Sequence, residues 1–294
     1  MSRGLLALVL LLGLGLPAEA PAFVRSRDPS SGQCLQWETR VIPWAMNERG
    51  HPTLGYERAH QAFLRSFSTW EEVSCSDLAF RDEGPTSETR VGHREGETPD
   101  NLIIFREQDC REVVASNAPC HKAGTCANDF DCWDHGSTTI AVTTTTFYRR
   151  TGEIVDADIE MNAAWFDFTD VDGPPCAQGQ TVGCVATDIQ NTATHEIGHM
   201  IGLNHTPVRE ATMFASSSRG EVHKRWLSED DIAGICAIYP AGRATPYCAD
   251  FALEEAPGGC GCGSGGDGVG ALGLFLAGLA VLRRSRRTSE PPRG

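Results

Sequence analysis

Apolar and polar positions alternate along this chain with two clear periods. From Tyr56 to Val73 the apolar residues Ala59, Phe63, Phe67 and Trp70 fall four, four and three apart, which is one stripe of a helix. So aromatic a stripe predicts core packing against a sheet. Ile189, Ala193, Ile197 and Ile201 repeat every four residues and predict a second helix, with Thr187 or Asp188 placed to cap it. A third helix is predicted over 228–239. Ser228 is its N-cap, acids fill its first turn and Pro240 ends it. Strands are expected over 37–44, 101–105, 138–147 and 153–162. In the last of these the alternation slips, which suggests a bulge. Residues 82–99, 174–183 and 215–227 are expected as loops. Helices interleaved with strands of both kinds point to an α+β fold class.

The stretch from His195 to His205 reads H-E-x-x-H-x-x-G-x-x-H. Positions i and i+4 stand on one helix face, so His195 and His199 can aim both imidazoles at one ion. Glu196 can then face a water without being a ligand. Gly202 falls where the chain must leave the helix and turn, and glycine takes positive φ at little cost. His205 returns as a third nitrogen ligand. Three neutral imidazoles leave the fourth position of a tetrahedral Zn2+ open, the arrangement of a catalytic site rather than a closed structural one. Met213 follows eight residues later, in Ala-Thr-Met-Phe.

Composition sets the compartment. The 294 residues suffice for one sizeable domain with short appendages. A net charge of −14 and a pI near 5.0 argue against a nucleic-acid partner. Twelve cysteines are too many for a reducing cytosol in the absence of a metal-cluster pattern. Ten precede Cys260, enough for up to five disulfides, and Cys176 with Cys184 can close a small loop. The remaining connectivity is open. Residues 109–136 carry Cys110, Cys120, Cys126 and Cys132 with little periodicity, and read as a disulfide-stapled insertion. A zinc ribbon is the alternative, but no CxxC pair supports it. His121 and His135 read as loop histidines there, and His223 as a surface histidine with a metal contact as its alternative.

Both ends are expected to carry targeting segments. Arg3 precedes the apolar run Leu5–Leu16, and small residues follow, so residues 1–22 are expected to be a signal peptide cut before Phe23. The protein is expected to be exported, outside the cell or held at its surface. Residues 241–268 form a Cys/Gly-rich linker. An apolar run and an Arg cluster fill 269–287, a tail that could hold the protein to a membrane or cell surface.

HExxHxxGxxH followed by Met213 resembles the metzincin metalloproteases, and within them the matrixins. The resemblance covers about residues 37–240 and is strongest from 154 onward. It implies a metzincin fold: a twisted mixed β-sheet with an active-site helix, a backing helix and a C-terminal helix. It also implies a zinc endopeptidase acting on an extended polypeptide, with Zn2+ on His195, His199 and His205 and Glu196 as general base. Gly202 and Met213 would support the site. The segment Glu153–Asn162 closely resembles the matrixin strand along the substrate cleft, where an edge holds a peptide by β-augmentation. Asp156, Asp158 and Glu160 are candidate calcium ligands, with an exposed acidic face as the alternative. The chain departs from the family in two places. No P-R-C-G-type cysteine segment precedes the domain, and the family's Pro-x-Tyr after the methionine is replaced by Phe214-Ala-Ser-Ser-Ser. The tail resembles the C-terminal sorting tails of myxobacterial exported proteins, which implies a sorting protease as a partner. The enzyme is expected to be a monomer. Two other readings stay open: a surface-anchored zinc-binding or adhesive protein, and a zinc peptidase of small peptides or cell-wall links.

Overall fold

The computed structural model describes residues 22–94, 101–180, 182–246 and 248, and the backbone of 272–281. Residues 1–21 of the expected signal peptide (1–22), most of the linker and the Arg cluster lie outside the described residues.

The long strands are β1 (Val41–Asn47), β2 (Ala79–Thr86), β3 (Leu102–Arg106), β4 (Thr139–Tyr148), β5 (Ile154–Asn162) and β6 (Leu272–Val281). The main helices are α1 (Gly55–Glu71), α2 (Ile189–Met200) and α3 (Glu229–Ile238). Sheet order is β6-β4-β5-β3-β1-β2, with Ser216–Ser217 flanking β6 on its outer side. β1, β2, β3 and β5 run parallel, while β4 is antiparallel to β5 and β6 to β4. The twisted mixed sheet and its helices bear out the α+β, metzincin-type fold.

The expected helices form within one or two residues of their sequence limits. α1 buries Ala59, Phe63, Phe67 and Trp70, and α2 buries Ile189, Ala193 and Ile197, with Ile201 at its C-cap; all sit in one core with Trp44, Phe105 and Met213. Ser228 caps α3 in a reciprocal capping box with Asp231. The bulge in β5 is present: Phe147 pairs with Ile154 but Thr146 pairs with Asp156, so Val155 is the extra residue.

Three expectations are corrected. Residues 82–99 are not wholly loop, because β2 runs to Thr86 as the outermost strand beside β1. Its residues, AFRDEGPT, are charged because an edge strand with a wet face needs no apolar alternation. β5 is not the cleft strand. It lies between β3 and β4, and its bonds are used on both sides. β4 lies beside α2, and its side away from β5 pairs with β6. Nor is the acidic face of β5 exposed, since Asp156, Asp158 and Glu160 are each 2–3 % accessible.

Among the described residues five disulfides close the fold: Cys34–Cys248, Cys75–Cys236, Cys110–Cys132, Cys120–Cys126 and Cys176–Cys184. Cys75–Cys236 ties the segment after α1 to α3. Residues 109–136 are the stapled insertion expected, folded as three helical turns around two of these bridges.

Candidate metal centre

The site is built on α2. Asp188 caps the helix by accepting the Asn191 N–H at 2.7 Å, and Arg225 in turn pairs with the Asp188 carboxylate. The helix ends where its carbonyls meet outside donors. The Trp37 indole N–H donates to Met200 O at 2.8 Å, and the Tyr239 hydroxyl to Ile201 O at 2.9 Å. Gly202 then takes φ +91°, and the chain doubles back. Leu203–Asn204 pairs antiparallel with Val24–Arg25, which carries His205 to the face that presents His195 and His199.

The three imidazoles converge. Nε2 of His205 lies 3.2 Å from Nε2 of His195 and 3.2 Å from Nε2 of His199. Zn–N bonds of about 2.0–2.1 Å in tetrahedral geometry require nitrogens about 3.3 Å apart, so the set fits one zinc ion. Each helical histidine is also fixed through its other nitrogen. His195 Nδ1 lies 2.6 Å from Thr212 O and His199 Nδ1 lies 2.9 Å from Leu203 O. A carbonyl only accepts, so Nδ1 carries the proton and Nε2 keeps its lone pair for metal. Burial reinforces this. It pushes the His199 pKa down to about 3 and that of His205 to about 4, and holds His195 well below its ordinary value. All three are neutral at pH 7.

Glu196 is fully buried, one residue along from His195. The Thr143 hydroxyl of β4 donates to Glu196 Oε2 at 2.7 Å, which fixes the carboxylate plane. Met213 lies beneath the site against Gly198. A Cβ on that glycine would come within 2.1 Å of Met213 Sδ. The Met213 and Thr212 N–H groups both donate to Asp231 in the first turn of α3, at 3.0 and 2.8 Å. Beyond Met213, the fully buried Lys224 ammonium donates to the carbonyls of Phe214 and Ser216, the latter at 2.9 Å. Burial lowers its pKa to about 8.

The structure brings the three histidines together, with Glu196, Gly202 and Met213 around them. His223 does not join them; its side chain is 45 % exposed beside Glu221. Among the candidate calcium ligands, Asp158 accepts the N–H groups of Gly92 and Leu102. Glu160 binds Arg106 at 2.7 Å and lies 3.5 Å from His135. Among the described residues, the histidine trio is the one His/Cys/Asp/Glu cluster whose donor atoms converge as a metal set. Sequence reading missed Thr143, Asp231, Gly198 and Lys224. Gly198 carried a signal, a glycine inside an otherwise regular helix; the others lie far along the chain from the motif they serve.

The matrixin family (peptidase M10) matches residues 36–240. The chain is 46 % identical over 52 residues to metalloendoproteinase 5-MMP of Arabidopsis thaliana, covering 18 % of this chain and 14 % of that protein. It is 31 % identical over 121 residues to mouse stromelysin-1, covering 38 % and 25 %. It is 40 % identical over 47 residues to human matrilysin, covering 16 % and 18 %. The matched stretches thus span a quarter or less of these relatives, but the family match spans most of this chain, and on that ground the protein belongs to the matrixins.

Proposed function

We propose that this protein is an exported zinc-dependent endopeptidase that cuts extended polypeptides. The observation that carries the reading is the meeting of three neutral Nε2 atoms beside one buried carboxylate. Zn2+ held there supplies Lewis-acid polarisation of a peptide carbonyl and lowers the pKa of water. Glu196 takes the proton of the attacking water on its carboxylate and returns it to the leaving amine nitrogen. Thr143 keeps that carboxylate aimed during the transfer. β4, next to Glu196, has on its side away from β5 the backbone groups that would align a peptide as a strand, the side that β6 pairs with in this structure. Five disulfides support an oxidising compartment, in keeping with a signal peptide over residues 1–22. The acidic face of β5 supports a structural role better than calcium binding, because Asp158 and Glu160 are already bonded within the protein.

The test is Glu196→Ala beside the parent chain, with a metal count and a quenched-peptide library. The variant should retain one zinc per chain and lose cleavage, and phenanthroline should abolish cleavage by the parent. Undiminished cleavage by Glu196→Ala would overturn the assignment.

A further inference from the structure

The cleft edge of β4 is paired in this chain with the chain's own tail. β6 runs antiparallel to β4 from Leu272 opposite Tyr148 to Ala280 opposite Thr139. On its other side Ala280 and Val281 pair parallel with Ser216 and Ser217. Those two residues belong to the segment after Met213 whose carbonyls Lys224 holds. Ala277 stands opposite Thr143, the residue whose hydroxyl holds Glu196. β6 also lies against α2. This extended segment, paired with β4 along one flank and with Ser216–Ser217 at its end on the other, runs beside the strand that holds Glu196 and occupies the place an extended peptide substrate would need.

We propose that residues 272–281 fill the peptide-binding cleft of their own chain and compete there with external peptides; this rests on the endopeptidase reading above. Chain geometry permits it. Cys248 is fixed to Cys34, and about two dozen residues, Gly-rich between 258 and 266, separate it from Leu272. At up to about 3.3 Å per residue these reach across a domain of this size. A tether of that kind holds the tail at millimolar effective concentration without any new contact. Pairing also removes an exposed strand edge, a liability in any sheet protein. The sequence LGLFLAGLAV carries no charge, so water is a poor alternative environment for it. A bilayer would need about 20 apolar residues in a helix. No helix among the described residues is long and apolar enough to cross a membrane, and this segment is a strand. A cleft occupied in cis also gives the chain a source of latency.

The test uses the full chain. Leu276→Pro and Ala277→Pro each remove one backbone donor. Successive residues face opposite edges, so at least one variant breaks the ladder to β4. Apparent KM for a quenched external peptide should fall about threefold or more with kcat unchanged, the factor expected when a tail fills the cleft about two-thirds of the time. Hydrogen exchange, read in the Glu196→Ala background, supplies a measure independent of turnover. Amides of 272–281 and 139–148 should be protected, and lose protection in the proline variants or when a saturating peptide is added. Self-cleavage within 276–281 in the parent chain would also support the proposal, because the tail must then enter the cleft. Tail amides exchanging like an unstructured peptide, with KM unchanged in both proline variants, would overturn it. So would transfer of the tail to lipid vesicles with no change in activity. If neither the parent chain nor the proline variants cut any peptide but added peptide still releases protected tail amides, the tail placement stands and the endopeptidase reading fails.

Discussion

Gly202→Ala should damage both the fold and the metal centre, and the two parts of its cost can be separated. Gly202 sits at φ +91°, where an L-residue costs about 1–2 kcal/mol of backbone strain. An added Cβ would also lie 2.4 Å from Leu35 O and 3.2 Å from Leu35 C, both backbone atoms. Relief to ordinary contact requires about 1 Å of movement. Neither side can move alone. Ser26 N–H donates to Gly202 O at 2.8 Å, Leu35 N–H donates to Ser26 O at 2.8 Å, and Gln36 N–H donates to Gly152 O at 3.0 Å. Overpacking against held backbone adds about 1–3 kcal/mol, so the total comes to about 2–5 kcal/mol. Gly124→Ala is the control. It has φ +67° and nothing within 4 Å of its Cβ, so it carries strain without the clash. Urea unfolding of metal-free protein with disulfides intact would compare the two. Zinc affinity should fall in Gly202→Ala alone, because His205 lies three residues beyond the displaced turn. Equal losses of stability in the two variants, with equal zinc affinities, would refute the reasoning.

Other outcomes follow from the same geometry. Burial holds His51 at about 4, against 6.5 ordinarily, and its Nδ1 accepts the N–H groups of Thr53 and Leu54 at the start of α1. A depressed histidine pKa means that the unfolded chain binds the proton first. The stability held above pH 6.5 should therefore be lost as pH falls toward 4, by up to about 3 kcal/mol, and urea melts of His51→Gln should show a shallower slope across that window. Lys224→Met removes a buried charge along with two donors, so desolvation relief offsets much of the loss and global stability should change by about 1 kcal/mol or less. Hydrogen exchange over residues 214–217 should nonetheless speed up, because the Phe214 and Ser216 carbonyls lose their anchor; unchanged protection there would argue against Lys224 as the brace of that segment.

The parts of the site legible in the sequence are those that local geometry dictates. An i,i+4 pair, a glycine where a helix must end and a third histidine after the turn are all set by one continuous stretch of chain. The same holds for α1 and α3, whose stripe and capping box are local. Where pairing is nonlocal, the sequence was less informative. β5 and β4 both read as β-rich, and only the sheet order shows that β4 is the one that pairs with β6 beside α2. β2 has the composition of a loop because one of its sides needs no apolar partner. The 269–282 run reads as a short membrane segment from its composition, but nine of its residues pair with β4, and such a pairing is visible only once β4 has an edge to offer.

Asp231 shows how far the metal centre depends on residues outside its motif. His195 keeps the correct tautomer because Thr212 O accepts its Nδ1 proton. Thr212 is held in turn by Asp231, which accepts the N–H groups of Thr212 and Met213 and that of Ser228 at the start of α3. One buried carboxylate thus satisfies the methionine turn and the helix cap together. Asp231→Ala should cost about 2–4 kcal/mol, since it leaves several buried donors without an acceptor. It should also weaken zinc binding by about 10- to 100-fold, as loss of an outer partner does when it orients a ligand. Ser228→Ala is the comparison, because it weakens the cap at about 1 kcal/mol and leaves Thr212 held. Competition with a chromophoric chelator reads the affinity, and urea unfolding of the metal-free chains reads the fold. If zinc affinity tracks stability equally in both variants, Asp231 supports the domain in general; if it drops in Asp231→Ala alone, the carboxylate reaches the metal through Thr212 and His195.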